Sequence, residues 1–113
     1  MSHLTFGALG VPAALSAALE QRGITTPTPI QAATLPDSLA GRDVLGRGRT
    51  GSGKTYAFLL PLVARLTATP RRRQPTRPRA LILAPTRELV TQIDEALAPL
   101  AATAGLTSRT VFG

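Results

Sequence analysis

Cysteine is absent from this sequence, and histidine occurs once, at His3. Without cysteine the chain can form neither a disulfide nor a thiolate-ligated metal site, which excludes disulfide-rich secreted scaffolds and zinc fingers. His3 has no plausible catalytic partner, and no cluster of metal-ligating residues appears along the chain. The composition therefore points away from transition-metal chemistry.

Long hydrophobic runs are absent as well. No run approaches the roughly 20 apolar residues needed to cross a bilayer. The first residues also lack the basic and apolar regions of a secretory signal. We therefore expect a soluble, cytoplasmic chain with no membrane partner.

Acidic residues are scarce, since 6 of them stand against 13 basic residues among 113, for a net charge of +7. This excess favours a polyanionic partner such as nucleic acid, because binding releases condensed counterions. A general bias towards arginine can also produce it. The hydrophobic content of 43% and the charged content of 17% are typical of one small globular domain.

The most informative segment is Gly48-Arg49-Thr50-Gly51-Ser52-Gly53-Lys54-Thr55, which fits the phosphate-binding pattern G-x-x-x-x-G-K-[ST]. Its glycines let the backbone adopt positive φ and approach a phosphate closely. Successive N–H groups form an anion-binding nest beside the start of a helix. Lys54 is predicted to contact the β- and γ-phosphates, and Thr55 to ligate Mg²⁺. The alternative is a flexible glycine-rich turn.

Lysine is the rarest of the basic residues, because Lys54 is the one lysine and the other twelve are arginine. An ammonium and a guanidinium are not interchangeable at a phosphate. The position of this lysine within the pattern therefore strengthens the prediction of a nucleotide site.

Helical and strand signals alternate along the chain and predict an α/β fold. Apolar spacing, with proline and glycine at the ends, predicts helices at 12–21, 29–39, 54–67 and 87–103. Short apolar segments at 43–47 and 80–84 predict strands, and a third strand is predicted to start at 108–112, in a mostly parallel sheet with flanking helices. The run 80–84 is continuously apolar, as in strands that are buried on both faces. The proline- and arginine-rich run 69–79 is predicted to be a loop that is either a solvated connector or a contact to phosphates.

The segment from Gly23 to Gln31 resembles the glutamine motif of DEAD-box RNA helicases, and Phe6 stands where that family has an isolated aromatic residue. The segment 48–55 resembles the phosphate loop of the same family, with Gly48 where alanine is commoner.

Two further segments extend the resemblance. Pro85-Thr86-Arg87-Glu88-Leu89 is similar to the family's first RNA-contacting motif, with Val90 where alanine is commoner. The last residues, 111–113, look like the approach to its next glycine pair. The resemblance implies a partial RecA-like P-loop domain, with 1–41 as the glutamine-motif region and 42–113 as a truncated P-loop core.

The resemblance also implies roles for particular residues. Glutamine can pair bidentately with N6 and N7 of adenine, so Gln31 is expected to select ATP over GTP; the alternative is an exposed helix glutamine. Phe6 is expected to stack on adenine or, alternatively, to anchor the N-terminal arm. Thr26 is assigned to the same nucleotide site.

RNA is the partner that the resemblance implies. The residues assigned to it are Pro85, Thr86, Arg87, Glu88 and Gly113. The alternative for this segment is a threonine helix cap followed by solvated charges.

The family's D-E-A-D motif and its second RecA-like domain are missing. We therefore expect a monomeric N-terminal fragment of an ATP-dependent RNA helicase, which alone binds nucleotide at most, because turnover needs an acidic residue on Mg²⁺ and a group that orients water. Two alternatives remain. One is a short, non-catalytic ATP- or RNA-binding module. The other is a different P-loop enzyme such as a DNA translocase, which the Gln31 segment disfavours.

Overall fold

The computed structural model describes residues 4–47, 53–69, 74 and 76–111. Within these residues a 3₁₀ turn at Gly7–Leu9 is followed by four α-helices. They are α1 (Ala13–Gln21), α2 (Pro29–Leu39), α3 (Lys54–Ala68) and α4 (Arg87–Thr103). The predicted helices are confirmed, with ends that differ by one residue at most.

Local signals explain where α2 and α4 begin and end. Thr28 is the N-cap of α2, and Pro29 occupies the first turn, where a missing N–H costs nothing. Pro36 does not end α2, which continues to Leu39. Gly105 follows α4 with a φ of 72°, a left-handed conformation that glycine adopts without strain and that reverses the chain.

The core lies where the four helices meet. Five leucines are at most 1% exposed, and they come from α1, α2, α3 and α4: Leu19, Leu35, Leu59, Leu60 and Leu100. Helix α2 packs mainly on α3, while α4 contacts both α1 and α3. This arrangement brings the first turns of α2 and α3, which carry the predicted nucleotide residues, into one packed unit. None of the described helices is long and apolar enough to cross a membrane.

The predicted parallel sheet is not seen within the described residues. Segments 42–47, 80–84 and 106–111 have no strand assignment. Ile82 and Ala84 pack against the helical core, whereas Leu81 and Leu83 are 77% and 85% exposed. A strand is defined by hydrogen bonds to a neighbouring strand, and the described residues supply no such neighbour. The continuous apolar run at 80–84 predicted a strand buried on both faces; one face packs on the core, the other is exposed, and no strand pairing is seen within the described residues.

Candidate functional site

Gln31 connects the glutamine segment to the start of α3. It is the third residue of α2, and only 2% of it is exposed. Its Oε1 accepts a hydrogen bond from the backbone N–H of Thr28 at 2.9 Å. Its Nε2 donates to the carbonyl oxygen of Gly53 at 3.0 Å, across 22 residues of sequence. An exposed helix glutamine, the alternative interpretation, is therefore wrong.

The side-chain amide of Gln31 keeps hydrogen-bonding capacity beyond these two contacts. A glutamine amide has two N–H donors and two carbonyl lone pairs. One donor and one lone pair remain after the bonds to Gly53 and Thr28. N7 of an adenine can accept from that donor, and the N6 amino group can donate to that lone pair. The residue can therefore serve the fold and a nucleotide base together.

Gly53 lies directly before α3 and is closely surrounded. Its φ is 93°, in the left-handed region. A Cβ atom at this position would lie 2.5 Å from Oγ1 of Thr28 and 2.6 Å from Nε2 of Gln31. Real Cβ atoms do not approach other atoms so closely. Both the backbone conformation and the packing thus require glycine here.

Lys54 and Thr55 are the first two residues of α3. Lys54 is exposed, Thr55 is half-buried, and neither side chain has a hydrogen bond or ion pair to another described residue. The first turn of a helix offers unpaired N–H groups and the positive end of the helix dipole. This end of α3 thus suits a phosphate and its metal ion. The remaining predicted loop residues, Gly48, Arg49, Thr50, Gly51 and Ser52, lie outside the described residues.

Phe6 belongs to the hydrophobic core and is 3% exposed. Its carbonyl oxygen accepts hydrogen bonds from the backbone N–H groups of Leu9 and Val11, both at 3.1 Å. The ring therefore anchors the N-terminal arm, as the alternative interpretation held, and stacking on adenine stays a prediction. Thr26 is exposed in the turn before α2, and its nucleotide role is likewise a prediction.

The predicted RNA-contacting residues Pro85, Thr86, Arg87 and Glu88 are exposed at the start of α4. Thr86 is the N-cap, and its Oγ1 accepts a hydrogen bond from the N–H of Leu89 at 3.1 Å. The threonine cap of the alternative interpretation is thus present, and the contact of these residues with RNA stays a prediction. Gly113 lies outside the described residues.

Arg79 has a role that sequence reasoning missed. Its guanidinium donates to the carbonyl oxygens of Leu66 and Thr69 and to the hydroxyl of Thr69. These groups lie at the C-terminal end of α3, where carbonyls lack helical partners and a cation is favourable. The last arginine of the predicted loop is therefore half-buried and held at the end of α3 rather than a fully solvated charge. No local pattern signals this role, because the bonds join residues that are 13 and 10 positions apart.

No group of three or more histidine, cysteine, aspartate or glutamate side chains in the described part of the chain is placed to hold a metal ion. Oxygen ligands from one side chain, completed by phosphates and water, are the usual environment of Mg²⁺ in nucleotide sites. Thr55 is a suitable ligand of this kind.

Comparison with known proteins adds a family to this geometry. A family model described as DEAD/DEAH box helicase matches residues 28–113. The chain is 48% identical over 115 residues to the ATP-dependent RNA helicase RhlB of Xanthomonas campestris and covers 20% of that protein. It is 44% identical over 117 residues to RhlB of Vibrio campbellii and covers 27% of it. These alignments include 100% and 99% of this chain.

Solved structures give the same result. The RNA helicase Prp28 of Chaetomium thermophilum, crystallised with ADP, superposes with a TM-score of 0.86 at 41% identity. That match covers 100% of this chain and 27% of the Prp28 chain. Yeast Prp28 superposes with a TM-score of 0.74 at 36% identity, over 96% of this chain and 27% of that one. The chain therefore spans between 20% and 27% of the length of these relatives.

Proposed function

The chain belongs to the DEAD/DEAH box helicase family, and on that premise we propose that it binds ATP with Mg²⁺, and RNA, as the first part of an ATP-dependent RNA helicase. The observation that carries this proposal is the pair of hydrogen bonds through which Gln31 joins the N-cap of α2 to the carbonyl of Gly53. Recognition of a whole nucleotide requires that the side chain that binds the base is held in a fixed position relative to the helix end that binds the phosphates.

In this proposal the triphosphate lies at the N-terminal end of α3. Lys54 contacts the β- and γ-phosphates, and the first-turn N–H groups of the helix add hydrogen bonds. Thr55 holds the metal, which when bound neutralises phosphate charge. The loop residues Gly48, Arg49, Thr50, Gly51 and Ser52 complete the phosphate cradle.

The adenine lies against Gln31, whose free donor and lone pair read N7 and N6. Guanine presents an acceptor at the position of the N6 amino group, so its carbonyl would oppose Oε1. Selection of ATP over GTP follows from that mismatch. Thr26 belongs to the same nucleotide site, and stacking of Phe6 on the adenine ring is part of the proposal.

RNA binds at the start of α4 through Thr86, Arg87 and the neighbouring Pro85 and Glu88. A helix N-terminus with an arginine suits a sugar-phosphate backbone. The net charge of +7 supports a polyanionic partner. Gly113 extends this contact.

Turnover and unwinding belong to the whole protein in this proposal. The relatives are four to five times as long, in keeping with coverage of 20% to 27%. We propose that the full-length protein is a cytoplasmic ATPase whose first domain completes a parallel sheet around segment 80–84 and covers the exposed Leu81 and Leu83. A further acidic motif and a second domain then supply the groups that orient water and close over RNA.

The test is steady-state ATPase activity of the full-length protein, with and without single-stranded RNA, together with unwinding of a short RNA duplex. We expect turnover of ATP but not GTP, stimulated by RNA. Binding of ATP without turnover under any RNA condition would favour the non-catalytic module instead. Absence of ATP binding would refute the proposal altogether.

A further inference from the structure

A hydrogen bond outside the predicted site ties α4 to the segment that follows it. Oγ of Ser108 donates to Oδ1 of Asp94 at 2.7 Å. Both residues are half-buried. The bond spans 14 residues, so it fixes the register between a helix and the chain that returns along it.

The return begins at the end of α4. Gly105 turns the chain with a φ of 72°, and the N–H of Leu106 donates to the carbonyl of Ala101 at 2.8 Å. Ser108 then reaches Asp94, which lies nine residues before the last residue of α4, Thr103. The segment 106–111 therefore runs back towards the N-terminal end of the helix.

Two further lengths can be compared, the one from Asp94 back to Arg87 along α4 and the one from Ser108 onward to Val111. Asp94 is seven residues beyond Arg87 in α4, which corresponds to about 10 Å along the helix axis. Val111 is three residues beyond Ser108, and extended backbone covers about 10 Å over that length. With Ser108 held at Asp94, an extended segment 108–111 has the length needed to reach the level of Thr86 and Arg87.

We propose that Asp94 and Ser108 are positioning residues for RNA binding, which set the register of segment 108–111 against α4 so that its end meets the exposed Thr86 and Arg87. Neither residue touches RNA in this proposal. The inference rests on the proposed function, because it assumes that the start of α4 contacts RNA. It adds that one RNA surface is built from two segments held together by this bond.

The charge of Asp94 distinguishes a positioning role from a purely electrostatic one. Removing the carboxylate of Asp94 reduces the negative charge near a polyanion, and a purely electrostatic role would therefore tighten RNA binding. Loss of a positioning bond would weaken it. Asparagine retains an acceptor oxygen for Ser108 without the charge, so Asp94→Asn separates the two effects.

The experiment measures RNA affinity and the KM for ATP in the full-length protein. Ser108→Ala and Asp94→Ala are each expected to raise the Kd for single-stranded RNA roughly 3- to 10-fold, with the KM for ATP unchanged. The double variant should be no worse than either single one, because both remove the same bond. Asp94→Asn and Ser108→Thr should retain wild-type RNA affinity.

Matched controls come from the adjacent residues. Glu95→Ala removes an exposed carboxylate beside Asp94, and Thr107→Ala removes an exposed hydroxyl beside Ser108. Neither should weaken RNA binding. A thermal melt of each variant shows whether it is folded. If Ser108→Ala is not folded, the RNA affinities of Asp94→Ala and Asp94→Asn are compared instead, and they decide whether the hydrogen bond positions the segment.

Two results would overturn the inference, and they differ. If the wild-type protein binds RNA and Asp94→Ala binds it as well or more tightly, the positioning role is refuted while the proposed function stands. If the wild-type protein does not bind RNA at all, the proposed function fails and the inference fails with it.

Discussion

The side-chain amide of Gln31 donates a hydrogen bond to the carbonyl oxygen of Gly53 over 3.0 Å. The first residue is in the first turn of α2, and the second immediately precedes α3. The same carbonyl also accepts a hydrogen bond from the backbone N–H of Ala57 in α3 at 3.3 Å. The contact therefore ties the predicted base-reading residue directly to the start of α3, where the phosphate site is predicted.

Replacement of Gln31 by alanine should weaken ATP binding about tenfold, since one buried hydrogen-bonded amide contributes about 1–1.5 kcal/mol. The preference for ATP over GTP should also be lost. Calorimetric titration of the full-length protein with both nucleotides measures the two effects. Gln92→Ala, which removes an exposed glutamine from α4, is the control and should change neither. An intact ATP preference in Gln31→Ala would show that this amide does not read the base.

Replacement of Gly53 by alanine should lower the free energy of unfolding by much more than the left-handed φ alone explains. The strain of that backbone region costs about 1–2 kcal/mol, and the clash with Thr28 and Gln31 adds to it. Gly41→Ala is the matched control, because its φ is 91° and no atom lies within 4 Å of a Cβ there.

Urea unfolding of the two glycine variants separates strain from packing. Gly41→Ala should lose about 1–2 kcal/mol of unfolding free energy, and Gly53→Ala should lose more and also lose ATP binding. Equal losses in the two variants would mean that the close packing around Gly53 is not rigid.

Replacement of Lys54 by alanine should lower kcat for ATP at least about 100-fold, as expected when a charged group that stabilises a transition state is removed. Lys54→Arg should rescue little, because a guanidinium differs in shape and hydration from an ammonium. Arg65→Ala removes an exposed cation from the other end of α3 and should retain activity. Full turnover by Lys54→Ala would remove the central assignment of the phosphate site.

Replacement of Arg79 by alanine should loosen the last turn of α3, because the carbonyls of Leu66 and Thr69 lose their donor. The expected loss is about 1–2 kcal/mol. Hydrogen exchange should report faster exchange at the C-terminal end of α3. Arg77→Ala, at an exposed arginine of the same loop, is the control, and equal protection in both variants would argue against the capping role.

Helix prediction succeeded because its signals are local. The residues Thr28 and Pro29 begin α2, and Thr86 begins α4, through contacts within one turn. Leu59, Leu60 and Val63 follow the apolar spacing that predicted α3, and all three are buried. Spacing alone is enough for such assignments, since the helix supplies its own hydrogen bonds.

Strand prediction from the same sequence was incomplete, because the hydrogen bonds of a strand belong to another segment. The continuous apolar run at 80–84 predicted burial on both faces, which is confirmed for Ile82 and Ala84 and wrong for the exposed Leu81 and Leu83. It contained no information on what pairs with that backbone.

For the site, the sequence by itself determined which chemistry is available: a lysine and a threonine at one helix start, a glutamine after fixed prolines, and a threonine and an arginine at another helix start. Only the tertiary structure decided that the Gln31 amide is buried against Gly53, that Phe6 lies in the core, and that Arg79 caps α3. The physical reason is distance along the chain. A motif specifies residue types at neighbouring positions, whereas the bond from Gln31 to Gly53 spans 22 residues and exists because α2 packs on α3.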